Sequence, residues 1–292
     1  MYLPDIELHE ATTLEHAAEV LTRYAPNARL LAGGTDLLVD LKTGRASFEH
    51  LVSINCIDAL RGISETSEGL RIGALTTVTQ LGRSTVVQER FSPILDATSR
   101  MAAPQIRNVA TVGGNIAAAV PCADLPPILT AMNASVVLWS TKGQREVPLD
   151  GFFVGPRQTV LGDNEVLTAI LVPKLPPRFG AAYARFQLRD GNTIAVAAVA
   201  ASLLLGDDDT VQDARIVLGA VAPVPKLVES AAALLVGKPP DEDAFRMAAD
   251  AAAAEAEPIC DVRSSADFRR EIVGVMTRRA LAAALQRAQE AR

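Results

Sequence analysis

The sequence predicts an α+β protein in which an α/β region precedes a domain of three strands and several helices. Helical and strand patterns alternate through the first half of the chain, as in α/β units. A segment with three prolines, 173–180, interrupts the pattern, and strand-like and then helix-like segments follow it. Since 292 residues suffice for two domains, we expect domains at 1–175 and 176–292, with subdomains at about 1–54 and 55–175.

The first subdomain opens with signals for the start of a helix. Thr12 to Glu15 has the spacing of a capping box, and apolar residues follow it at helical periodicity. Strands are expected over 29–32 and 51–54. A short helix is expected over 36–43, because Gly44 is a typical helix end.

The second subdomain mixes helical and extended patterns. Helices are expected at 77–83, 89–102 and 124–132, and strands at 70–72, 136–139, 145–148 and 165–172.

The remaining chain separates into strands and then helices. Strands are expected at 181–189, 194–205 and 211–220, and helices at 225–236, 241–256 and 267–287. In the last helix the spacing predicts that Phe268, Ile272 and Met276 face the core, opposite Arg269 and Arg270.

Composition and charge exclude several functions. A net charge of −6 argues against a general nucleic-acid or membrane-surface binder. The N-terminal residues have no basic region followed by an apolar region, and the apolar segment 194–205 is too short to cross a membrane, so we expect neither a signal peptide nor a transmembrane segment. Three widely spaced cysteines predict no disulfide framework, and a reducing cytoplasm fits them best. With only three histidines, all outside metal-binding patterns, the chain is expected to hold no iron–sulfur cluster or transition metal.

Two glycine pairs carry most of the functional signal. They lie in the segments Ala32-Gly33-Gly34-Thr35-Asp36 and Thr111-Val112-Gly113-Gly114-Asn115. Neither matches the Walker A or the Rossmann pattern. Glycine lets backbone N–H groups converge on an anion, so the two segments predict a diphosphate held from both sides. The alternative for each is a structural turn.

Polar residues around the second glycine pair extend this prediction. Asn115 can both donate and accept, and Asp124 could accept from ligand hydroxyl or ring N–H groups or cap the helix that follows it. Arg107 is interpreted as a solvated cation rather than a phosphate ligand. Cys122 is interpreted as a packed thiol, because no histidine nearby in the sequence could activate it.

The chain resembles the FAD-binding medium subunits of the molybdenum hydroxylases, the family of carbon monoxide dehydrogenase and xanthine dehydrogenase. The resemblance spans nearly the whole chain. It implies a PCMH-type FAD-binding region of two α/β subdomains, then a C-terminal domain of the CO dehydrogenase flavoprotein type with a three-stranded antiparallel sheet and a helical bundle. The residues that carry the resemblance are the first glycine segment, PQIRNVATVGGN at 104–115, Asp124, Phe152-Phe153, Arg189-Asp190, LGAVAP at 218–223, and the arginine pairs 269–270 and 278–279.

The resemblance also implies which residues bind FAD. Met101 stands where xanthine dehydrogenase has an aromatic residue. The implied cofactor-binding set, which includes no catalytic and no metal-binding residue, is Leu31, Ala32, Gly33, Gly34, Thr35, Asp36, Leu37, Met101, Ala110, Thr111, Gly113, Gly114, Asn115, Asp124, Leu167 and Arg185.

The implied function is that of a FAD-dependent oxidoreductase subunit in a cytoplasmic heterotrimer. Substrate chemistry would take place in a large molybdopterin-binding subunit. Electrons would come from the [2Fe–2S] clusters of a small subunit and pass through FAD to NAD, oxygen, a quinone or another acceptor. The chain lacks the cysteine-rich insertion with which 4-hydroxybenzoyl-CoA reductase binds an additional [4Fe–4S] cluster.

Two alternatives remain at this point. One is a stand-alone flavoprotein oxidase of the vanillyl-alcohol-oxidase type, although the histidine-free segment after residue 180 offers it little acid–base chemistry. The other is a non-catalytic assembly subunit that has lost its flavin, and the two intact glycine pairs argue against it.

Overall fold

The computed structural model describes residues 4–291. The first part is a three-stranded parallel sheet, and its spatial order places the third strand in the middle. Its elements are β1 (Glu7–Glu10), α1 (Leu14–Tyr24), β2 (Ala28–Leu31), α2 (Leu37–Thr43) and β3 (His50–Ser53). The strand β1 was not expected from the sequence. Helix α1 buries Ala17, Ala18, Val20 and Leu21.

Capping residues define the start of α1 and the end of α2. The Thr13 hydroxyl accepts a hydrogen bond of 3.1 Å from the backbone N–H of His16, so Thr13 is the N-cap. Glu15 therefore does not occupy the capping-box position that the sequence suggested. Helix α2 ends at Gly44, as expected, and this glycine adopts the left-handed conformation with φ 71°.

The second part is built on a five-stranded antiparallel sheet of order β4-β5-β10-β6-β7. In chain order its elements are β4 (Ile63–Thr66), β5 (Gly69–Gly73), α3 (Val78–Arg83), α4 (Thr85–Arg90), α5 (Pro93–Arg100), α6 (Pro104–Arg107), α7 (Val112–Ala117), α8 (Leu125–Ala131), β6 (Ser135–Ser140), β7 (Gly143–Pro148), β8 (Phe153–Gly155), β9 (Gln158–Thr159) and β10 (Val166–Pro173). The helix expected over 89–102 is two helices, because Pro93 begins a new one.

The C-terminal sheet has four strands rather than the three expected. It is antiparallel and consists of β11 (Phe179–Phe186), β12 (Ala197–Leu205), β13 (Val211–Gly219) and β14 (Lys226–Leu227). The fourth strand is only two residues long, too short to produce an alternating pattern, and it occupies the start of the helix expected over 225–236.

Three helices follow this sheet, namely α9 (Glu229–Ala233), α10 (Glu242–Ala254) and α11 (Ala266–Glu290). Helix α11 packs against β11 and β12, and α10 packs against α11, so the helices form a layer over the sheet. No helix within residues 4–291 is both long and apolar enough to span a bilayer.

The first turn of α11 differs from the sequence prediction, although Met276 is buried and Ile272 packs against the core as expected. Arg269 is 1% exposed, whereas Phe268 is 40% exposed. The Arg269 guanidinium donates to the carbonyl of Val196 at 2.7 Å and to Asp261 at 2.8 Å. A buried arginine is tolerated because these acceptors compensate its desolvation.

Candidate functional site

A large cleft lies between the two N-terminal parts of the fold. Its volume is about 810 Å³, within the range of small-molecule and cofactor sites. The loop after β2 forms one wall, and the first turn of α7 forms the facing wall. Leu167 on β10 lines the cleft, as do Arg157 and the segment 158–159.

The first glycine pair presents a row of free backbone donors. The N–H groups of the five residues from Gly33 to Leu37 donate to no atom of residues 4–291. Gly34 has φ +69°, a conformation that L side chains rarely adopt. Successive N–H groups without protein partners are typical of an anion-binding concavity.

Gly33 also brings the two walls into direct contact. A Cβ atom at this position would lie 2.0 Å from the carbonyl oxygen of Val109, which precedes the second glycine pair. Only glycine permits this approach. The two glycine segments are therefore adjacent in space, although 76 residues separate Gly34 from Thr111 in the sequence.

The second glycine segment differs from the loop that the sequence suggested. It forms the first turn of α7, and the Thr111 hydroxyl caps this helix by accepting from the Gly114 N–H at 3.0 Å. The N–H groups of Val112, Gly113 and Asn115 bond to the carbonyls of Thr76, Ala74 and Thr111. These donors already have partners, so the two segments do not offer equivalent sets of N–H groups.

Asn115 provides a different kind of polar group on this wall. Its side-chain oxygen Oδ1 is buried, and no atom of residues 4–291 donates to it. A buried acceptor without a partner costs free energy, and a ligand that donates to it removes this cost.

The cleft brings together most of the residues predicted to bind cofactor. Asp36 lies among them at the N-cap position of α2, and burial raises its pKa despite the nearby Arg157 charge. The predicted residues that line the cleft are Leu31, Ala32, Gly33, Gly34, Thr35, Asp36, Leu37, Ala110, Thr111, Gly113, Gly114, Asn115 and Leu167.

Asp124 and Arg185 form a separate, buried cluster with Tyr183. The Tyr183 hydroxyl donates to Asp124 Oδ1 at 2.7 Å, and Arg185 Nη1 donates to the same oxygen at 2.6 Å. Burial raises the pKa of Asp124, and the charge of Arg185 opposes this. No atom of residues 4–291 donates to Oδ2, which leaves that oxygen available as an acceptor. The alternative of a helix-capping side chain is wrong, because Asp124 makes no capping hydrogen bond.

Cys122 precedes Asp124 of this cluster by two residues and is half-buried. Burial raises the pKa of its thiol, and the carboxylates of Asp124 and Asp36 raise it further, against the lowering effect of Arg263. A thiol that stays protonated is a poor nucleophile. This environment favours the interpretation of Cys122 as a packed thiol.

Arg107 and Met101 have structural positions outside the cleft. Arg107 Nη1 donates to the backbone carbonyls of Met101 at 2.6 Å and Ala102 at 3.0 Å. Arg107 is half-buried, and it does not line the cleft as a phosphate ligand would. Met101 is 6% exposed and packs in the core of the second part.

Other cleft residues were missed by sequence reasoning. Arg157 bonds to Asp40, 117 residues away along the chain, and the Arg29 guanidinium lies 5.7 Å from the centre of the Phe48 ring. All four line the cleft. The one signal for Arg157 in the sequence was the turn-forming pair Gly155-Pro156 before it. This pair predicts a turn, but it does not predict that Arg157 pairs with Asp40.

Family models match both halves of the chain. Residues 4–175 match the model described as FAD binding domain in molybdopterin dehydrogenase. Residues 181–284 match the CO dehydrogenase flavoprotein C-terminal domain.

Full-length relatives match as well. The chain is 38% identical to the carbon monoxide dehydrogenase medium chain of Hydrogenophaga pseudoflava, over 98% of this chain and 99% of that one. It is 33% identical to the xanthine dehydrogenase FAD-binding subunit of Escherichia coli O157:H7, over 95% of both chains. The structure is similar to a chain of carbon monoxide dehydrogenase from H. pseudoflava, with a TM-score of 0.95 and 39% identity over 98% and 99% of the two chains.

Proposed function

The chain belongs to the family of FAD-binding medium subunits of carbon monoxide and xanthine dehydrogenases, and on this premise we propose that it holds FAD in the cleft and relays electrons. The electrons come from the [2Fe–2S] clusters of a small subunit and leave to an external acceptor, NAD or another. Substrate oxidation belongs to a large molybdopterin-binding subunit. The chain is thus the oxidoreductase subunit that contributes the flavin.

The observation that carries this proposal is the row of unpartnered N–H groups from Gly33 to Leu37. Five neighbouring donors on one wall of a cleft match the needs of a diphosphate, which presents several negatively charged oxygens. The Thr35 hydroxyl adds a donor on the same wall. The first turn of α7 contributes no free N–H groups at Gly113 and Gly114, and a Cβ atom at these positions would lie 2.6 Å from Ala74 and 2.7 Å from Thr111 Oγ1.

Side chains outside this loop extend the site. The unpartnered Oδ1 of Asn115 accepts from the cofactor, and Leu167 and Ala110 supply apolar contact. Asp124, held by Tyr183 and Arg185, would accept through its free Oδ2 from a ring N–H or ribityl hydroxyl of the cofactor. Met101 supports the site indirectly, because it packs in the hydrophobic core of the second part. The remaining members of the predicted set, Leu31, Ala32, Gly34, Asp36, Leu37 and Thr111, shape the cleft wall.

FAD and the protein have different roles in this proposal. FAD, when bound, supplies redox chemistry that no side chain can perform. The chain's own residues bind the diphosphate, orient the ring system and exclude water. The Asp124–Arg185 pair keeps a carboxylate and its counter-charge fixed beside the site, because both side chains are buried and hydrogen-bonded.

The domain limits and the cellular location are part of the proposal. We place the domain boundary at 175/176, supported by the change of sheet between β10, which ends at Pro173, and β11, which begins at Phe179. The subdomains are about 1–54 and 55–175, in a PCMH-type arrangement. A cytoplasmic location is supported by three free cysteines among the described residues.

The proposal is tested by cofactor content and by complementation. The purified chain is expected to carry one FAD, and to transfer electrons only when combined with its iron–sulfur and molybdenum subunits. Turnover of purines, aldehydes or carbon monoxide by the chain alone would contradict the relay role. It would favour the stand-alone oxidase, an alternative that the match to medium subunits over nearly the full length does not support.

A further inference from the structure

Two of the three histidines meet at the edge of the N-terminal sheet. Strands β1 and β3 pair in parallel, with Glu7 opposite His50 and His9 opposite Val52. Because side chains alternate along a strand, Glu7 and His9 lie on the same face, and His50 lies on that face of the next strand. The sequence alone suggested no metal-binding pattern here, since 40 residues separate His9 from His50.

The three side chains are spaced like ligands of one ion. Nε2 of His9 and Nδ1 of His50 are 3.1 Å apart, and the carboxylate oxygens of Glu7 lie 3.4 Å from His50 Nδ1 and 3.8 Å from His9 Nε2. At metal–ligand distances of about 2.0–2.1 Å, two ligands of a tetrahedral ion lie about 3.3 Å apart. The two distances from Glu7 belong to different oxygens, Oε2 to His50 and Oε1 to His9, and with one ligand atom from each residue the three atoms lie within 4.8 Å of one another. Rotation of the exposed Glu7 carboxylate would complete one face of such a tetrahedron.

The two rings are held in place by stacking. The His50 and Tyr24 rings are 3.8 Å apart at an angle of 27°, and the His9 and Tyr24 rings are 5.2 Å apart at 28°. The side chains of His9 and His50 are only 16% and 15% exposed, whereas Glu7 is 61% exposed. Two fixed ligands and one solvent-facing ligand leave room for water at a fourth position.

We propose that Glu7, His9 and His50 bind a divalent transition-metal ion of the zinc type. Two imidazoles and one carboxylate suit Zn²⁺, Co²⁺ or Ni²⁺ rather than Mg²⁺ or Ca²⁺, which prefer oxygen ligands. The ion takes the place of the proton that the two rings share in their hydrogen bond. It fastens β1 to β3 near the amino ends of these parallel strands, whereas the first glycine loop follows the carboxyl end of β2. The ion therefore has a structural role.

The proposal predicts zinc binding that depends on both histidines. The probe is ZnCl₂, titrated by calorimetry into the untagged, flavin-loaded full chain after chelator treatment. Exposed Cys56 and Cys260 are replaced by serine in all samples, because thiols also bind zinc. One Zn²⁺ per chain is expected, with an increase in Tm. His9→Ala and His50→Ala each weaken binding at least about 10-fold, since loss of supporting residues alone costs that much.

Matched variants distinguish the site from general effects. His16→Ala removes an exposed histidine outside the cluster and should bind zinc like the parent, and Glu7→Gln should bind more weakly. His9→Gln serves as a second variant if the alanine form unfolds, and flavin absorbance reports folding and the FAD site independently. Zinc binding that His9→Gln and His50→Ala leave unchanged, or no binding by the parent, would overturn the proposal and leave only a hydrogen-bonded histidine pair.

Discussion

The Tyr183 hydroxyl donates a 2.7 Å hydrogen bond to Asp124 Oδ1, joining the C-terminal sheet to the start of α8. Arg185, two residues further along β11, donates to the same oxygen. Residues i and i+2 of a strand share one face, so both side chains reach the same carboxylate. The C-terminal sheet thereby fixes the carboxylate that we propose to contact the flavin.

Removal of the tyrosine hydroxyl should destabilise the protein. In Tyr183→Phe the buried carboxylate of Asp124 loses a donor, and we expect the free energy of unfolding to fall by about 2 kcal/mol. Urea unfolding measures this change. The control is Tyr24→Phe, whose hydroxyl has no hydrogen-bond partner within residues 4–291. Equal stabilities of the two variants would show that the Tyr183 bond contributes nothing.

Asp124 should impose a pH dependence on stability. Burial raises its pKa in the folded protein, above the value of about 3.9 expected for the unfolded chain. The folded state then binds more protons between the two pKa values, so the free energy of unfolding falls as the pH rises from about 4 through the folded-state pKa. Asp124→Asn should abolish this fall. Urea unfolding measures the free energy of unfolding of the parent protein and of Asp124→Asn across this pH range. The same pH dependence in both proteins would refute the assignment.

Gly33→Val should abolish FAD retention. Its Cβ would lie 2.0 Å from the backbone oxygen of Val109, so the loop must move away from the second wall of the cleft. The flavin-to-protein absorbance ratio of the purified variant measures the loss, and circular dichroism checks the fold. Gly151→Val is the matched control, because no atom lies within 4 Å of a Cβ there and its φ is not positive. Normal flavin content in Gly33→Val would remove the loop from the site.

Asn115→Ala should weaken FAD binding without destabilising the apoprotein. The side-chain oxygen of Asn115 has no donor within the described residues, so its removal costs the flavin-free protein no hydrogen bond. In the complex a bond to the cofactor is lost, which we expect to cost about 1 kcal/mol, or about fivefold in Kd. Tm measured with and without added FAD separates the two effects. A lower Tm without FAD would indicate a structural role instead.

Arg287 should stabilise the contact between α11 and α5. Its guanidinium makes two bonds to the Asp96 carboxylate, at 2.7 and 2.9 Å, and one to the carbonyl of Ala181 at 2.7 Å. Among residues 4–291, Arg287→Leu leaves the Asp96 carboxylate with only the Tyr183 backbone N–H as a donor, and we expect a loss of about 2 kcal/mol in unfolding free energy. Arg278→Leu, at an exposed position of the same helix, should change stability little in the same urea titration.

The sequence by itself determined the local structure and the identity of the family. Gly44 ends α2 and the apolar segments became strands close to their expected limits, because caps and periodicity depend on neighbouring residues only. These features need no knowledge of distant contacts.

Only the tertiary structure decided which distant groups meet. It placed Tyr183 and Arg185 on Asp124, Arg269 in the core, and His9 beside His50. It also showed that the free N–H groups belong to the first glycine loop, since those of α7 bond to carbonyls of other segments. Long-range hydrogen bonding and burial depend on how sheets and helices pack, and periodicity along the chain carries no record of that packing.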